Sequence, residues 1–364
     1  MVGHGEYRIS SIEIAMVFLM HMRSVWFWAV AAASIVVLVF LALSFFTGAE
    51  PNNKREVRWL IAHKPTEVFD RAAAAFGEEL SKASNGTMTL VIMTPEDLGY
   101  SAGDVPHERV MQELAAGSAD LASAYTVALG KEDESMWALS LPFLFSDYAS
   151  LNRALDGEPG RALLSTIRER VPALRGLAFT MSGGYRIIVS KSAAISDISD
   201  MKGLRIATSG GPVAEATIRA FGATPVSMNL EEGGQPLEAS SIDGIETTYS
   251  RLAEVVGADS PYTTYINETN HSMFLTAIVA SESFYQSLAD SERAALEKAA
   301  RLAAAIERED SIAFAASVKA DLGRRGSVIT APSAGSLQEA VQAVYDSFTD
   351  RLGSDLVRSF MTQQ

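Results

Sequence analysis

The chain has 364 residues, 48% of them apolar and 20% charged, and a formal net charge of −14. That length exceeds one ordinary core and points to two domains, while the composition excludes a disordered chain. The acidic balance argues against nucleic acid or anionic lipid as partners, and the absence of cysteine excludes disulfides, thiolate catalysis, thiolate metal sites and a lipid-modified N-terminal cysteine.

Residues 1–49 read as an N-terminal leader. Val25 to Phe46 runs for 22 residues without a charge, enough to cross a hydrocarbon layer roughly 30 Å thick and longer than the ~7–15 apolar residues of a secretory signal. The segment is expected to act as a signal peptide, with Thr47-Gly48-Ala49 offering small residues to a peptidase, or to stay as a membrane anchor. Met22-Arg23-Ser24 makes a compact basic start of its own. Glu6, Arg8, Glu13 and Arg23 sum to zero, so the net charge belongs to the exported part, and membrane contact is expected only through the leader.

After a polar linker, "EVRWLIAH" reads as a strand and "EVFDRAAAAFGEELSKAS" as an amphipathic helix with Val68, Ala72, Phe76 and Leu80 on one face. Asn85-Gly86 turns the chain into the strand "MTLVIMT". The same grammar returns in "DVPHERVMQELAAGSADLASA", a helix closed by Gly117 and then a strand. It returns again in "GLRIAT", the helix after Pro212 and "ATPVSM", and in "EASSIDGIETT". This alternation predicts an α/β fold with largely parallel sheets, whose ligands sit beyond the carboxyl ends of strands. Ser291 to about Gly326, proline-free and rich in Ala, Glu, Arg and Leu, reads as one or two long helices that brace two domains.

Catalytic signatures are missing. There is no G-x-S-x-G, H-E-x-x-H, P-loop or G-x-G-x-x-G, and His107-Glu108 fails as a zincin start because Met111 stands in the fifth place. His63, His107 and His271 are scattered and read as solvated or packed, and Glu231-Glu232 as a solvated helix start. No enzyme activity, metal site or cofactor is expected.

Several stretches together resemble the DctP-type extracytoplasmic solute-binding proteins of tripartite ATP-independent periplasmic (TRAP) transporters: "MTPEDLGY", "VMQELAAGSADLA", "LSLPFLFSDYASLNRALDGEPGRALL", "GYRIIVSKSAAISDISDMKGLRI" and "FGATPVSMNLEEGGQPLEASSIDGIET". The resemblance covers about residues 56 to 350. It implies a bilobed periplasmic-binding-protein-like (type II) fold of two α/β lobes with connecting strands and a long bracing helix. The expected division is 56–183 plus about 272–315 for lobe I, 184–271 plus about 316–350 for lobe II, and 351–364 as a C-terminal tail. It also implies a receptor that binds a small polar metabolite, an organic or sugar acid, between the lobes and delivers it to TRAP permease subunits. A neutral polyol or sugar, or a role as an anchored sensor, are the alternatives.

For acid-binding members the resemblance implies an arginine two residues after the Gly-Leu-Lys entry, where its planar fork grips a carboxylate. Here Ala207 stands there, with Arg205 two positions away. Arg186 in "GGYRII" matches a second family arginine and is the first candidate ligand contact. Thr247 takes the place of a ligand-facing asparagine, with Glu246 before it. Leu230 falls where an aromatic is common, Tyr125 where a pocket polar group is found, and Lys64 follows His63 in the first pocket loop. The amides from Ser209 to Val213, with Pro212 suited to a first helical turn, are placed to meet a polar or anionic ligand.

Overall fold

The computed structural model describes residues 54–62, 67–100, 107–208, 210–228, 239–255 and 265–363. Two sheets organise this part. In the first, β1 (Arg55–Leu60) lies parallel to β2 (Met88–Met93) along its whole length and to β3 (Leu121–Tyr125) at its end. Helix α1 (Glu67–Ala83) connects the first two strands. Its buried Phe69, Ala72, Phe76 and Leu80, spaced three to four apart, pack against Val57 and Trp59. The side chain of Val68, expected on this face, lies outside the described set. Asn85 and Gly86 take φ of 52° and 80° at the predicted turn, a left-handed pair that these two residue types tolerate.

The second sheet gathers β5 (Ile187–Ser190), β6 (Arg205–Thr208), β7 (Thr224–Ser227), β8 (Gly244–Thr247), β9 (Tyr265–Asn267) and β11 (Val328–Thr330). Helix α6 (Gly211–Ala220) joins β6 to β7, with Pro212 in its first turn where a missing N–H costs nothing.

Both sheets are mixed rather than largely parallel. The strand pairs made by consecutive β-α-β units, β1/β2 and β6/β7, are parallel as expected. The antiparallel pairs come from elements distant in sequence: β10 (Met273–Ser281) runs against β3 and against β4 (Leu174–Tyr185), and β5 runs against β8 and β9. A crossing strand returns in the opposite direction because the chain has already changed sheets, and local periodicity carries no trace of that.

Three segments join the sheets. Residue 186 alone separates β4 in the first from β5 in the second, and residues 268–272 lead from β9 back to β10. The third is a single helix, α9 (Asp290–Arg324), of 35 residues and about 52 Å at 1.5 Å per residue. The Glu292 side chain accepts from the Ala289 N–H at 2.8 Å and caps its start. Leu296, Ala299, Ala300, Ala303 and Ala304 share the cluster under α1, whereas Ala315, Val318 and Leu322 share that of the second sheet with Val189 and Ile245. The molecule is therefore a bilobed α/β structure braced by one helix.

Residues 354–361, in the stretch read as a tail, form a helix that buries Val357 and Phe360, the latter edge-on to Phe145. Among the described residues no helix is long and apolar enough to cross a membrane; the apolar run 25–46 lies outside them.

Candidate functional site

Arg186 occupies the link between the lobes. Its N–H donates to the Ser272 carbonyl at 2.8 Å, tying the two crossing segments to each other. The preceding glycines make the approach possible: Gly183 and Gly184 have φ of 126° and 78°, and a Cβ on Gly183 would sit 2.4 Å from Thr248 Oγ1. The guanidinium is buried, donates from Nη1 to Glu246 Oε2 at 3.1 Å, and lies 4.9 Å from the centre of the Phe274 ring, within cation–π range.

Glu246 collects the other contacts. On β8 it is opposite Ile188 and has no exposed surface. His271 Nε2 lies 2.8 Å from Glu246 Oε1, and His271 Nδ1 lies 2.8 Å from the Thr269 hydroxyl. With Nε2 protonated, the imidazole donates to the carboxylate while Nδ1 accepts from Thr269. The Thr208 hydroxyl donates to Glu246 Oε2, and Gly210 N–H donates to Thr208 Oγ1 at 3.0 Å. Burial alone raises the Glu246 carboxyl, but the Arg186 charge, the His271 hydrogen bond and the Thr208 hydroxyl outweigh it and hold the group at about 2. The result is a buried, charge-balanced arginine–carboxylate pair with a histidine behind it.

The structure thus brings Arg186 and Glu246 into direct contact and adds Tyr125 through Phe274, whose ring centre is 5.1 Å from that of Tyr125. Thr247 is buried opposite Ile187, and strand alternation separates its side chain from that of Glu246. Ala207 is fully buried in the second-lobe cluster with Ile187, Val189 and Ile245. The residue of that strand that reaches Glu246 is its neighbour Thr208. Arg205 is engaged at the surface: its Nε and Nη2 bind the two Asp243 oxygens at 2.9 Å each, and Nη2 also reaches the Ser240 carbonyl at 3.0 Å. Lys64, Ser209 and Leu230 lie outside the described residues, as do Glu231 and Glu232.

Sequence reasoning missed Thr208, Thr269 and His271. A histidine two residues after a threonine, in the polar run that leads into an apolar strand, was the available signal. Among the described residues there is no cluster of three or more histidine, aspartate or glutamate side chains able to hold a metal.

Residues 61–351 match the family described as bacterial extracellular solute-binding protein, family 7 (DctP). The chain is 25% identical over 333 residues to the C4-dicarboxylate-binding periplasmic protein DctP of Rhodobacter capsulatus, with 87% of this chain and 92% of that protein covered. Among solved structures it is similar to the sugar acid binding protein DctPAm of Advenella mimigardefordensis in complex with galactonate. There the TM-score is 0.73 at 22% identity, over 85% of this chain and 97% of the other. A TRAP periplasmic solute binding protein of Chromohalobacter salexigens with bound d-glucuronate gives a TM-score of 0.74 at 21% identity, over 85% and 100%. With the bilobed fold already in place, the family match is decisive: the chain belongs to the DctP family of bacterial extracellular solute-binding proteins.

Proposed function

We propose that this protein is the extracytoplasmic receptor for a small hydroxylated monocarboxylic acid of the sugar-acid class, which it delivers to the permease subunits of a TRAP-type transporter. The observation that carries this reading is Arg186, a buried guanidinium at the junction of both crossing segments with the Phe274 and Tyr125 rings beside it. A planar fork at that point grips a carboxylate, and aromatic faces suit the C–H side of a sugar acid. Glu246 takes only Nη1 of the guanidinium but cancels its charge, so a ligand carboxylate would rely on the remaining N–H donors, and a monoanion costs less there than a dianion.

Export follows from the reading of residues 25–46, as a cleaved signal or as an anchor. The solved relatives with galactonate and d-glucuronate supply the first ligands to try. Thermal-shift screening against galactonate, glucuronate, C4 diacids and neutral polyols is the test. A ligand at 100 times its Kd stabilises by about 2.7 kcal/mol, and Arg186→Met is expected to remove about 2 to 4 kcal/mol of binding. Stabilisation by a polyol, with every acid inert, overturns the carboxylate reading and favours a neutral ligand on a site whose Arg186 guanidinium is already paired.

A further inference from the structure

Midway along α9, between the alanine face that serves the first lobe and the one that serves the second, stand Glu307, Arg308 and Ser311, all buried. They bind the crossing strand β4. Ser311 Oγ donates to the Met181 carbonyl, and Arg308 Nη1 donates to the Phe179 carbonyl at 2.7 Å while its Nη2 reaches Asp156 at 2.6 Å. Glu307 faces hydroxyls from both strands of the crossing: Ser182 Oγ donates to Oε1 at 3.2 Å and Thr276 Oγ1 at 3.5 Å, with Thr180 bonded to Thr276 behind them. Its Oε2 has no hydrogen-bond partner among the described residues.

Two charged groups that neighbouring elements bring to this stretch are engaged elsewhere. Arg71 of α1 is bonded to Asp310, and Asp156 is bonded to Arg308. From β4 and β10 only hydroxyls meet Glu307. An ionised carboxylate here leaves one charged oxygen buried with no donor, whereas a neutral carboxyl leaves only a hydroxyl, which costs far less.

We propose that Glu307 is a proton-controlled latch: carried as a neutral acid, it fastens the bracing helix to both crossing strands, and its ionisation loosens that joint. Burial pushes the carboxyl up to about 8, against the opposing pull of the Thr180, Ser182 and Thr276 hydroxyls and the Arg308 charge. The folded chain therefore holds a proton that the unfolded chain has released above its ordinary value of 4.5. Raising the pH between those two values lowers the folding equilibrium constant about tenfold per unit from this group, and above the folded value the loss levels off.

Two measurements on the full-length protein decide the matter. Urea unfolding of wild type and Glu307→Gln across about pH 5 to 9 is expected to give a difference profile of close to one proton, with the amide variant gaining relative stability as pH rises. Parallel profiles overturn the proposal. Infrared difference spectra are expected to show a protonated-carboxyl carbonyl band in the wild type near neutral pH that vanishes on alkalinisation. A band absent at neutral pH overturns it, and this second readout holds even where Glu307→Gln fails to fold.

Discussion

Arg186 Nη1 stands 3.1 Å from Glu246 Oε2, with side-chain exposures of 6% and 0%. Each charge is tolerable inside the protein because the other is there. Removing one leaves the second without its counter-charge, a loss that typically costs 3 to 5 kcal/mol for a buried pair, roughly as much from either side. Arg186→Met and Glu246→Gln are each expected to destabilise strongly in urea unfolding, and the double variant to lose clearly less than their sum. Additive losses would show that the contact contributes nothing as a pair.

The same pair sets an acid limit. The Glu246 carboxyl titrates at about 2 in the folded chain against 4.5 ordinarily. A depressed carboxyl contributes its full stability above the unfolded value, and that contribution is lost as pH falls from about 4.5 toward about 2. The wild type should therefore lose stability over that window faster than Glu246→Gln. Glu307 acts in the opposite sense and at higher pH, so the two variants separate the acid and alkaline limbs. Identical acid limbs in wild type and Glu246→Gln would rule out the buried carboxylate as the source.

The entry to the crossing is set by space as well as by angle. Gly183 combines a φ of 126° with a Cβ position 2.4 Å from Thr248 Oγ1. Gly183→Ala is expected to cost about 1 to 3 kcal/mol from the strained backbone, plus a steric part that Thr248→Ala relieves. Thermal unfolding of the single and double variants measures the split. No rescue by Thr248→Ala would mean that the backbone angle alone matters.

What could be read from the sequence follows the range of the interactions involved. The β1-α1-β2 unit, the Asn85-Gly86 turn and the proline-free brace were legible because each rests on neighbours a few residues apart. The family resemblance singles out Arg186 but not its partner, since Glu246 lies 60 residues on. His271 looked like one of three scattered histidines until the fold placed it on Glu246. The family resemblance points to Ala207 by its place along the strand, but the pleat turns Ala207 into the apolar cluster and its neighbour Thr208 toward Glu246. Glu307 and Arg308 stand in a run rich in Glu and Arg, where no local pattern marks two of them as buried. Only the crossing strands beneath them reveal that they are buried.

Ala207 gives the sharpest test of that distinction. In the family resemblance its position carries a ligand-gripping arginine, and restoring one is the obvious experiment. Its Cβ, however, sits in an apolar cluster with Ile187, Val189 and Ile245, fully buried. A guanidinium placed there has to enter that cluster without a counter-ion or push the strand away from its neighbours, and an unpaired buried charge costs several kcal/mol. Ala207→Arg is therefore expected to lower the unfolding midpoint sharply and to leave galactonate affinity no higher than in the wild type. A folded Ala207→Arg protein with tighter galactonate binding would show that residue 207 does reach the ligand.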